Sequence, residues 1–163
     1  MVKYCGYYIT FQEVPNEVSL TFTISNCPYR CEGCHSPWLQ KNIGDELTAA
    51  TIMRLLDKYQ GAVTCVCFMG EGNDLDALSF LIGCVHECGL KTCVYSGKDI
   101  AHDLRDYCGY PILDYIKTGS YKKELGGLSS PTTNQRMWKL SGFTDDGVAV
   151  YEDITSWFWR KKE

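Results

Sequence analysis

Short apolar runs alternate with segments of helical periodicity along most of this 163-residue chain, and this alternation constrains the fold more than any other feature. Runs with the character of buried strands lie at 19–25, 62–69, 91–95 and 112–116. Segments that begin at Thr48 and Asn73 lie between the first three runs and carry apolar residues at helical spacing. Strands and helices in alternation are typical of a parallel sheet covered by helices. The sequence therefore predicts an α/β fold, in the form of a shortened (β/α) barrel that is open on one side.

The βα rhythm weakens in the second half of the chain. A short helix is predicted at 100–107, and an extension with a hairpin at 135–140 and 148–152, joined across Asp146-Gly147. Residues 119–133 contain three glycines, one proline and five serines or threonines, a composition that indicates a long loop. Loops of more than about 12 to 15 residues inside a compact domain commonly have a function. We expect a single domain over residues 1–163.

Charge and hydropathy argue against several classes of function. The net charge of −4 and the pI of about 5.4 lack the basic character of a nucleic-acid-binding domain. The basic clusters at Lys122-Lys123 and 160–162 are expected to be solvated surface. No apolar run approaches the ~18 residues that a membrane span needs, and residues 1–10 lack a signal-peptide pattern. We therefore expect a cytoplasmic protein whose ten cysteines are reduced.

Three of these cysteines form the array Cys27-x3-Cys31-x2-Cys34 directly after the first predicted strand. Three thiolates can hold three irons of a [4Fe-4S] cube and leave the fourth iron open to a ligand, whereas a cube with four thiolates is closed and transfers electrons. The alternative is a zinc knuckle, with His35 or a remote cysteine as the fourth ligand. Zinc sites favour spacings such as C-x2-C at each half of the site, so the observed array favours the iron cluster.

The array and its surroundings, C-P-Y-R-C-E-G-C-H-S-P-W at 27–38, resemble the cluster loop of the radical S-adenosylmethionine enzymes. Within that superfamily the run is similar to the activating proteins of anaerobic ribonucleoside-triphosphate reductases, in which a C-x-G-C-H/Y-N sequence is usual. Ser36 stands where that family more often has Asn. The resemblance implies that Cys27, Cys31 and Cys34 bind a [4Fe-4S] cluster.

Two further turns resemble the motifs with which the superfamily binds S-adenosylmethionine. Met69-Gly70-Glu71 follows the second predicted strand, where a Gly-Gly-Glu turn is usual, and Met69 replaces the first glycine. The resemblance implies that Gly70 and Glu71 bind the amino group of the ligand, and that Ser96 of the turn Tyr95-Ser96-Gly97 binds its ribose or carboxylate. Gly33 and His35 complete the implied cofactor-binding set, with a purely structural role equally open for His35 and a helix-cap role open for Ser96. In barrel-like α/β folds such groups gather at the C-terminal ends of the strands.

The last match lies in the second half of the chain. Residues 114–121 resemble a D-x-x-x-x-G-x-Y/F segment, and Thr132-Thr133-Asn134-Gln135-Arg136 resembles a pentapeptide that is specific to the reductase activators. No general chemical rule makes that pentapeptide catalytic. It extends the resemblance over residues 19–136, which we expect to be the core of the domain.

The resemblance implies both the cofactors and the reaction. Reductive cleavage of S-adenosylmethionine at a [4Fe-4S] cluster produces a 5′-deoxyadenosyl radical, which takes a hydrogen from a glycine of the large subunit of an anaerobic ribonucleoside-triphosphate reductase. No acid–base catalytic residue is needed. A one-electron donor such as flavodoxin is the second expected partner, and neither nucleic acid nor a membrane is expected. The alternatives are an activator of another glycyl radical enzyme, another small radical S-adenosylmethionine enzyme, and a zinc-binding interaction module.

Two predictions concern the rest of the chain. The loop at 119–133 and the late tryptophans Trp157 and Trp159 are a hypothesis for the surface that docks the reductase. The seven other cysteines are expected to be small buried hydrophobes, with a second cluster at Cys84, Cys88 and Cys93 as the alternative. They are Cys5, Cys65, Cys67, Cys84, Cys88, Cys93 and Cys108.

Overall fold

One mixed sheet of eight strands is the frame of the protein in a computed structural model that describes residues 1–99 and 113–159. The strands are β1 (Lys3–Thr10), β2 (Ser19–Ile24), β3 (Asp45–Glu46), β4 (Cys65–Met69), β5 (Lys91–Tyr95), β6 (Tyr115–Thr118), β7 (Arg136–Phe143) and β8 (Ala149–Asp153). Their order across the sheet is β3-β1-β2-β4-β5-β6-β7-β8. Among the described strands β3 and β8 are therefore the two edges, and the sheet is open.

The centre of the sheet is parallel. Strands β2, β4, β5 and β6 pair in that order, each with the same direction as its neighbour. This confirms the α/β class and the four parallel strands that the sequence predicts. In the described residues the fourth strand spans Tyr115–Thr118, and Asp114 before it exchanges hydrogen bonds with Thr92 of β5; residue 112 of the predicted strand lies outside the described residues. The helix predicted at 100–107 lies outside the described residues.

Antiparallel strands flank the parallel centre. The predicted hairpin is confirmed, since β7 and β8 pair with each other and β7 pairs with β6. At the other side β1 pairs antiparallel with β2, and no strand was predicted there. Strand β1 is half exposed and its register shifts between Tyr4 and Tyr7, so its side chains show no regular apolar alternation.

Two helices cover one face of the sheet. Helix α1 (Ala49–Lys58) begins after Thr48, whose hydroxyl accepts a hydrogen bond from the backbone N–H of Thr51. Helix α2 (Leu75–Glu87) begins after Asp74 rather than Asn73, because the Asp74 carboxylate accepts from the N–H of Ala77. No helix in the described part of the chain is long and apolar enough to cross a membrane.

The two faces of the sheet have different linings because side chains alternate along a strand. On β4, Val66 and Phe68 pack with the helices, whereas Cys65 and Cys67 point to the opposite face. That second face is also packed with Cys93, Tyr115 and Met137 and lies under a 3₁₀ turn at Thr155–Trp159.

The prediction for the seven other cysteines is only partly confirmed. Cys65, Cys67 and Cys93 are fully buried and pack as small hydrophobes. Cys84 is half-buried, whereas Cys5 and Cys88 are exposed because they lie on the half-exposed strand β1 and at the C-terminal cap of α2. Cys108 lies outside the described residues, and within those residues Cys84, Cys88 and Cys93 form no group that could hold a metal ion.

A buried carboxylate ties together the N-terminal ends of three strands. Glu17, which is 7% exposed, accepts hydrogen bonds from the hydroxyls of Thr64 (2.6 Å) and Tyr115 (3.1 Å). The ammonium group of Lys91 lies 3.0 Å from the same carboxylate. These partners precede β4 or begin β6 and β5, so Glu17 holds the edge of the parallel sheet at which the strands start.

Replacing Glu17 by Ala is expected to lower the free energy of unfolding by about 2 to 3 kcal/mol, because the buried hydroxyl of Tyr115 loses its acceptor and Lys91 loses its ion-pair partner. Glu17→Gln keeps one carbonyl acceptor and should lose less. Exposed Glu46 on β3 offers a matched control, and Glu46→Ala should change stability by less than about 0.5 kcal/mol. Urea denaturation measures all three variants, and equal stabilities of Glu17→Ala and Glu46→Ala would contradict the role of Glu17.

Candidate functional site

A cavity of about 310 Å³ lies at the C-terminal ends of the parallel strands. Its walls come from the segments that follow β2, β4, β5 and β6 and from the end of the long loop before β7. The lining residues are Cys27, Tyr29, Cys31, Cys34, His35, Ser36, Leu39, Met69, Gly70, Glu71, Tyr95, Ser96, Gly97, Lys117, Gly119, Tyr121, Gly127 and Gln135. All the predicted site residues except Gly33 are among them.

The cysteine loop at 26–41 is closed by backbone hydrogen bonds. The N–H groups of Asn26 and Cys27 donate to the carbonyls of Lys41 (3.1 Å) and Leu39 (2.9 Å). Pro37 begins a 3₁₀ turn that leads the chain back toward the sheet. These contacts fasten both ends of the loop, so that its three thiols face one cavity.

The three thiols of the loop are free and half-buried. The thiol of Cys27 donates to the carbonyl of Tyr29 (3.8 Å), and the thiol sulfur of Cys34 accepts from the N–H of Ser36 (3.4 Å). Burial raises the pKa of Cys27. The loop therefore presents three soft sulfur donors within eight residues.

Within residues 1–99 and 113–159, no group of three or more His, Cys, Asp or Glu side chains is arranged to hold a metal ion. A structural zinc site needs four ligands that converge on one point. A cube instead spreads its thiolates over different irons, so three thiols can line a cavity without converging. The donor set of three cysteine sulfurs in one cavity thus fits a cluster with one open iron.

The turn after β4 places the backbone of Gly70 and the carboxylate of Glu71 at the cavity. Gly70 has a φ of +114°, and a Cβ at this position would lie 3.3 Å from the carbonyl oxygen of Ile24. This conformation and this close approach both require glycine. Glu71, the next residue, is 8% exposed and accepts a 2.6 Å hydrogen bond from the hydroxyl of Ser96.

In the turn after β5, the hydroxyl of Ser96 is already engaged in two hydrogen bonds and orients a neighbouring side chain. Ser96 donates to Glu71 and accepts a hydrogen bond of 3.0 Å from the N–H of Lys98, so its hydroxyl orients the carboxylate. Gly97 lies against Tyr29 of the cysteine loop, and a Cβ added to it would be 2.7 Å from the tyrosine ring. The absence of a side chain at Gly97 allows the cysteine loop to pack on this turn.

Lys117 is a functional candidate for which the sequence analysis proposed no role. It is 8% exposed, and its ammonium group donates to the carbonyls of Ser96 (3.2 Å) and Gly119 (2.8 Å). Burial lowers the pKa of Lys117 from 10.5 to about 8, partly offset by Cys31, Asp99, Cys27 and Glu71. The available signal in the sequence is the position of Lys117 directly after the predicted strand at 112–116, where the binding groups of barrel-like α/β folds gather.

The long loop lies against the cysteine loop. The rings of His35 and Tyr121 are 5.1 Å apart between centroids, and Gly33 adopts a φ of +73° beside the side chains of Tyr121 and Lys123. Gly33 was predicted to bind cofactor, but it lies at this contact between loops and does not line the cavity. The loop at 119–133 is confirmed as irregular.

The pentapeptide at 132–136 closes the long loop on itself. The hydroxyls of Thr132 and Thr133 donate to the carbonyls of Leu125 and Gly126. The side-chain amides of Asn134 and Gln135 donate to the carbonyls of Ser120 (3.0 Å) and Gly119 (3.4 Å). The main contribution of these residues is therefore to hold the loop that borders the cavity.

Comparison with known proteins adds no assignment for this site. No protein-family model matches the chain, and no curated protein matches it. What the site can do follows from its own residues. Three thiols, one carboxylate and one ammonium group line a single cavity at the edge of a parallel sheet.

The variant Gly97→Ala is expected to lower the free energy of unfolding by about 1 to 3 kcal/mol, because the new methyl group overlaps the ring of Tyr29. Displacement of Tyr29 should also lower the iron bound per chain after reconstitution. Gly127→Ala is the control, since its Cβ would meet only the side-chain oxygen of Gln135 at 3.8 Å. If Gly97→Ala and Gly127→Ala have equal iron content and equal stability, the predicted overlap between the new methyl group and the ring of Tyr29 is wrong.

Lys117 makes stability depend on pH. Its pKa in the folded chain, about 8, lies below the ordinary value of 10.5, so the unfolded chain binds more protons between these values. The free energy of unfolding should therefore rise with pH in this window, by roughly 2 kcal/mol relative to Lys117→Met between pH 7 and pH 10. Urea denaturation at both pH values measures the difference. The exposed lysine Lys58 on α1 is the control. If Lys117→Met and Lys58→Met change the pH dependence of the free energy of unfolding equally, the prediction is wrong.

Proposed function

We propose that this protein activates an anaerobic ribonucleoside-triphosphate reductase, as a single-domain radical S-adenosylmethionine enzyme on a shortened (β/α) barrel. One observation carries the proposal: three thiols, a buried carboxylate and a buried ammonium group reach the same cavity from separate segments of the chain. The motif order in the sequence and the location at the C-terminal ends of parallel strands support it. Fold class alone would not.

In this proposal Cys27, Cys31 and Cys34 hold a [4Fe-4S] cluster. Their sulfurs are the soft ligands that iron–sulfur clusters use, and three of them leave one iron for a ligand. The backbone hydrogen bonds at Asn26 and Cys27 fasten the ends of the loop, and packing of Tyr29 on Gly97 sets its distance from the turn after β5.

The charges of the cavity match an amino acid in its zwitterionic form. Glu71 can accept hydrogen bonds from the ammonium group of S-adenosylmethionine, and Ser96 fixes the orientation of that carboxylate. Lys117 offers a buried positive charge to the carboxylate of the ligand. The side chains that hold these groups are nine-tenths buried, so their interactions with a ligand are weakly screened by water.

When bound and reduced, the cluster supplies the electron that splits S-adenosylmethionine into methionine and the radical that takes a hydrogen from a glycine of the reductase. The residues of the chain orient the ligand and exclude water and stray hydrogen donors. His35 and Tyr121 cover one side of the cavity, and Leu39 and Met69 add apolar lining. No side chain needs to transfer a proton.

The proposed reaction requires that a glycine on a segment of the reductase enter the candidate site. A second cavity of about 910 Å³ shares Tyr95 and Gln135 with the first and is bordered by Leu128 of the long loop and by Trp157. We assign this cavity to the glycine-bearing segment of the reductase large subunit. Trp157 and Trp159 are half-buried, and Trp159 donates a hydrogen bond to the carbonyl of Leu128, so Trp159 supports the loop while Trp157 lines the cavity.

The remaining partners follow from the same chemistry. A one-electron donor such as flavodoxin reduces the cluster, and a reducing cytoplasm keeps the three cysteines available as thiolates for iron. Nucleic acid and membranes have no part in this reaction.

Cys31→Ala is expected to abolish formation of 5′-deoxyadenosine while the chain stays folded, because two thiolates do not retain the cluster. The test is anaerobic reconstitution with iron and sulfide, reduction by dithionite with S-adenosylmethionine, and chromatography of the products. Cys5→Ala removes an exposed thiol on β1 and is the matched control, with unchanged cleavage. Wild-type protein should bind roughly four irons per chain and absorb at about 400 nm.

Two results would contradict the proposal. Cleavage retained by Cys31→Ala would refute the cluster ligands. About one tightly bound zinc per chain, with no 5′-deoxyadenosine, would favour the zinc-binding interaction module. If cleavage occurs but no glycyl radical forms on the reductase, the protein activates another glycyl radical enzyme or acts on a smaller substrate.

A further inference from the structure

The cysteine loop and the segment that packs against it carry a positive net charge in a protein that is acidic as a whole. The cysteine loop at 26–41 and the neighbouring segment 119–127 carry four basic and two acidic residues, a net charge of +2, whereas the rest of the chain carries −6. The basic residues are Arg30, Lys41, Lys122 and Lys123, and all four are exposed. We call these residues, together with Trp38, the basic rim.

Three of the basic residues contact the cysteine loop or belong to its closure. Arg30 donates a hydrogen bond of 2.8 Å to the side chain of Gln40. The carbonyl of Lys41 accepts from Asn26, and its N–H donates to Trp38, so Lys41 lies where the loop closes. The stem of Lys123 packs beside Gly33. Lys122 and Lys123 are exposed, as the sequence predicts, and Lys123 also lies against the cysteine loop.

An exposed aromatic side chain, Trp38, belongs to the same loop as Arg30 and Lys41. Trp38 is 52% exposed, although it belongs to a turn that also contains buried Leu39. Tryptophan and arginine are the residues most enriched at the energetic centres of protein interfaces. A large apolar side chain that is exposed and bordered by like charges indicates a contact surface for a protein of opposite charge.

We propose that the basic rim docks an acidic one-electron carrier protein that reduces the cluster. This inference rests on the proposed function, because it needs a cluster at Cys27, Cys31 and Cys34. Electron transfer falls steeply with distance, so a carrier must dock where the cofactor is nearest the surface. Glu32, Gly33 and His35 of the cysteine loop are exposed, so the path to solvent is short at the basic rim.

The electron balance of the step is simple. One electron leaves the reduced flavin or iron centre of the carrier and enters the cluster, and no bond is made or broken. The basic rim raises the rate of encounter by electrostatic steering, an effect that salt weakens. The opening for the reductase segment lies at the second cavity, which has none of the four basic residues in its lining. Carrier and reductase thus use different surfaces.

The test compares two reductants of one reconstituted protein. Reduced flavodoxin is the acidic carrier, and photoreduced 5-deazaflavin is a small reductant that needs no docking surface. The double variant Lys41→Glu/Lys122→Glu reverses two charges of the basic rim, and Arg54→Glu/Lys58→Glu makes the same charge change on α1, away from the cavity. Bleaching of cluster absorption gives the rate, and binding of oxidised flavodoxin to immobilised protein gives the affinity.

We expect the basic-rim variant to lose at least tenfold in flavodoxin-driven rate and in flavodoxin affinity at low salt, with the difference shrinking at high salt. Its rate with deazaflavin and that of the α1 control with flavodoxin should stay within about twofold of wild type. Trp38→Ala should weaken flavodoxin binding without changing the salt dependence.

If the two double variants lower the flavodoxin-driven rate and the flavodoxin affinity equally, the docking proposal is wrong. Normal cleavage of S-adenosylmethionine with deazaflavin would then leave the proposed function intact. If the protein forms no cluster, the proposed function is wrong. It is also wrong if deazaflavin reduces the cluster but S-adenosylmethionine is not cleaved, and in both cases the docking assignment is wrong as well. Binding of a polyanionic nucleic acid in place of flavodoxin would also overturn it.

Discussion

The parallel register of β2, β4, β5 and β6 is the constraint on which the candidate site depends. Because the four strands run in one direction, the segments that follow them leave the sheet at one edge, and Cys27 and Lys117 share a cavity. A slip of one residue in β6 would turn Lys117 toward the helix-covered face and place Ile116 at the cavity. Glu17 holds the opposite edge of the same strands, so a network remote from the cavity supports its geometry.

The cavity concentrates groups whose burial is unfavourable without a ligand. Lys117 is held by two carbonyls, which satisfy hydrogen bonds but do not neutralise its charge. The depressed pKa of this lysine measures that cost, and a bound carboxylate would remove much of it. Such a conflict with stability is typical of functional sites and supports the proposed ligand site.

Two loops without helix or strand over most of their length define the surface around the cavity. The cysteine loop packs through Tyr29 on Gly97, and the long loop packs through Tyr121 on Gly33 and His35. The pentapeptide at 132–136 shows how such loops are held: its side chains donate to carbonyls of residues up to sixteen positions earlier. In these loops, side-chain hydrogen bonds satisfy backbone carbonyls that strand pairing would satisfy in a sheet.

The sequence by itself determined the features that are encoded locally. Helical spacing and caps defined α1 and α2, apolar runs defined β4 and β5, and the spacing of three cysteines defined the donor set. The tertiary structure decided which side chains meet. It buried Lys117, placed Gly33 outside the cavity, brought Lys123 to the cysteine loop and added β1, whose half-exposed side chains carry no periodic signal. These outcomes depend on strand register and loop closure between residues distant in sequence, which local patterns do not encode.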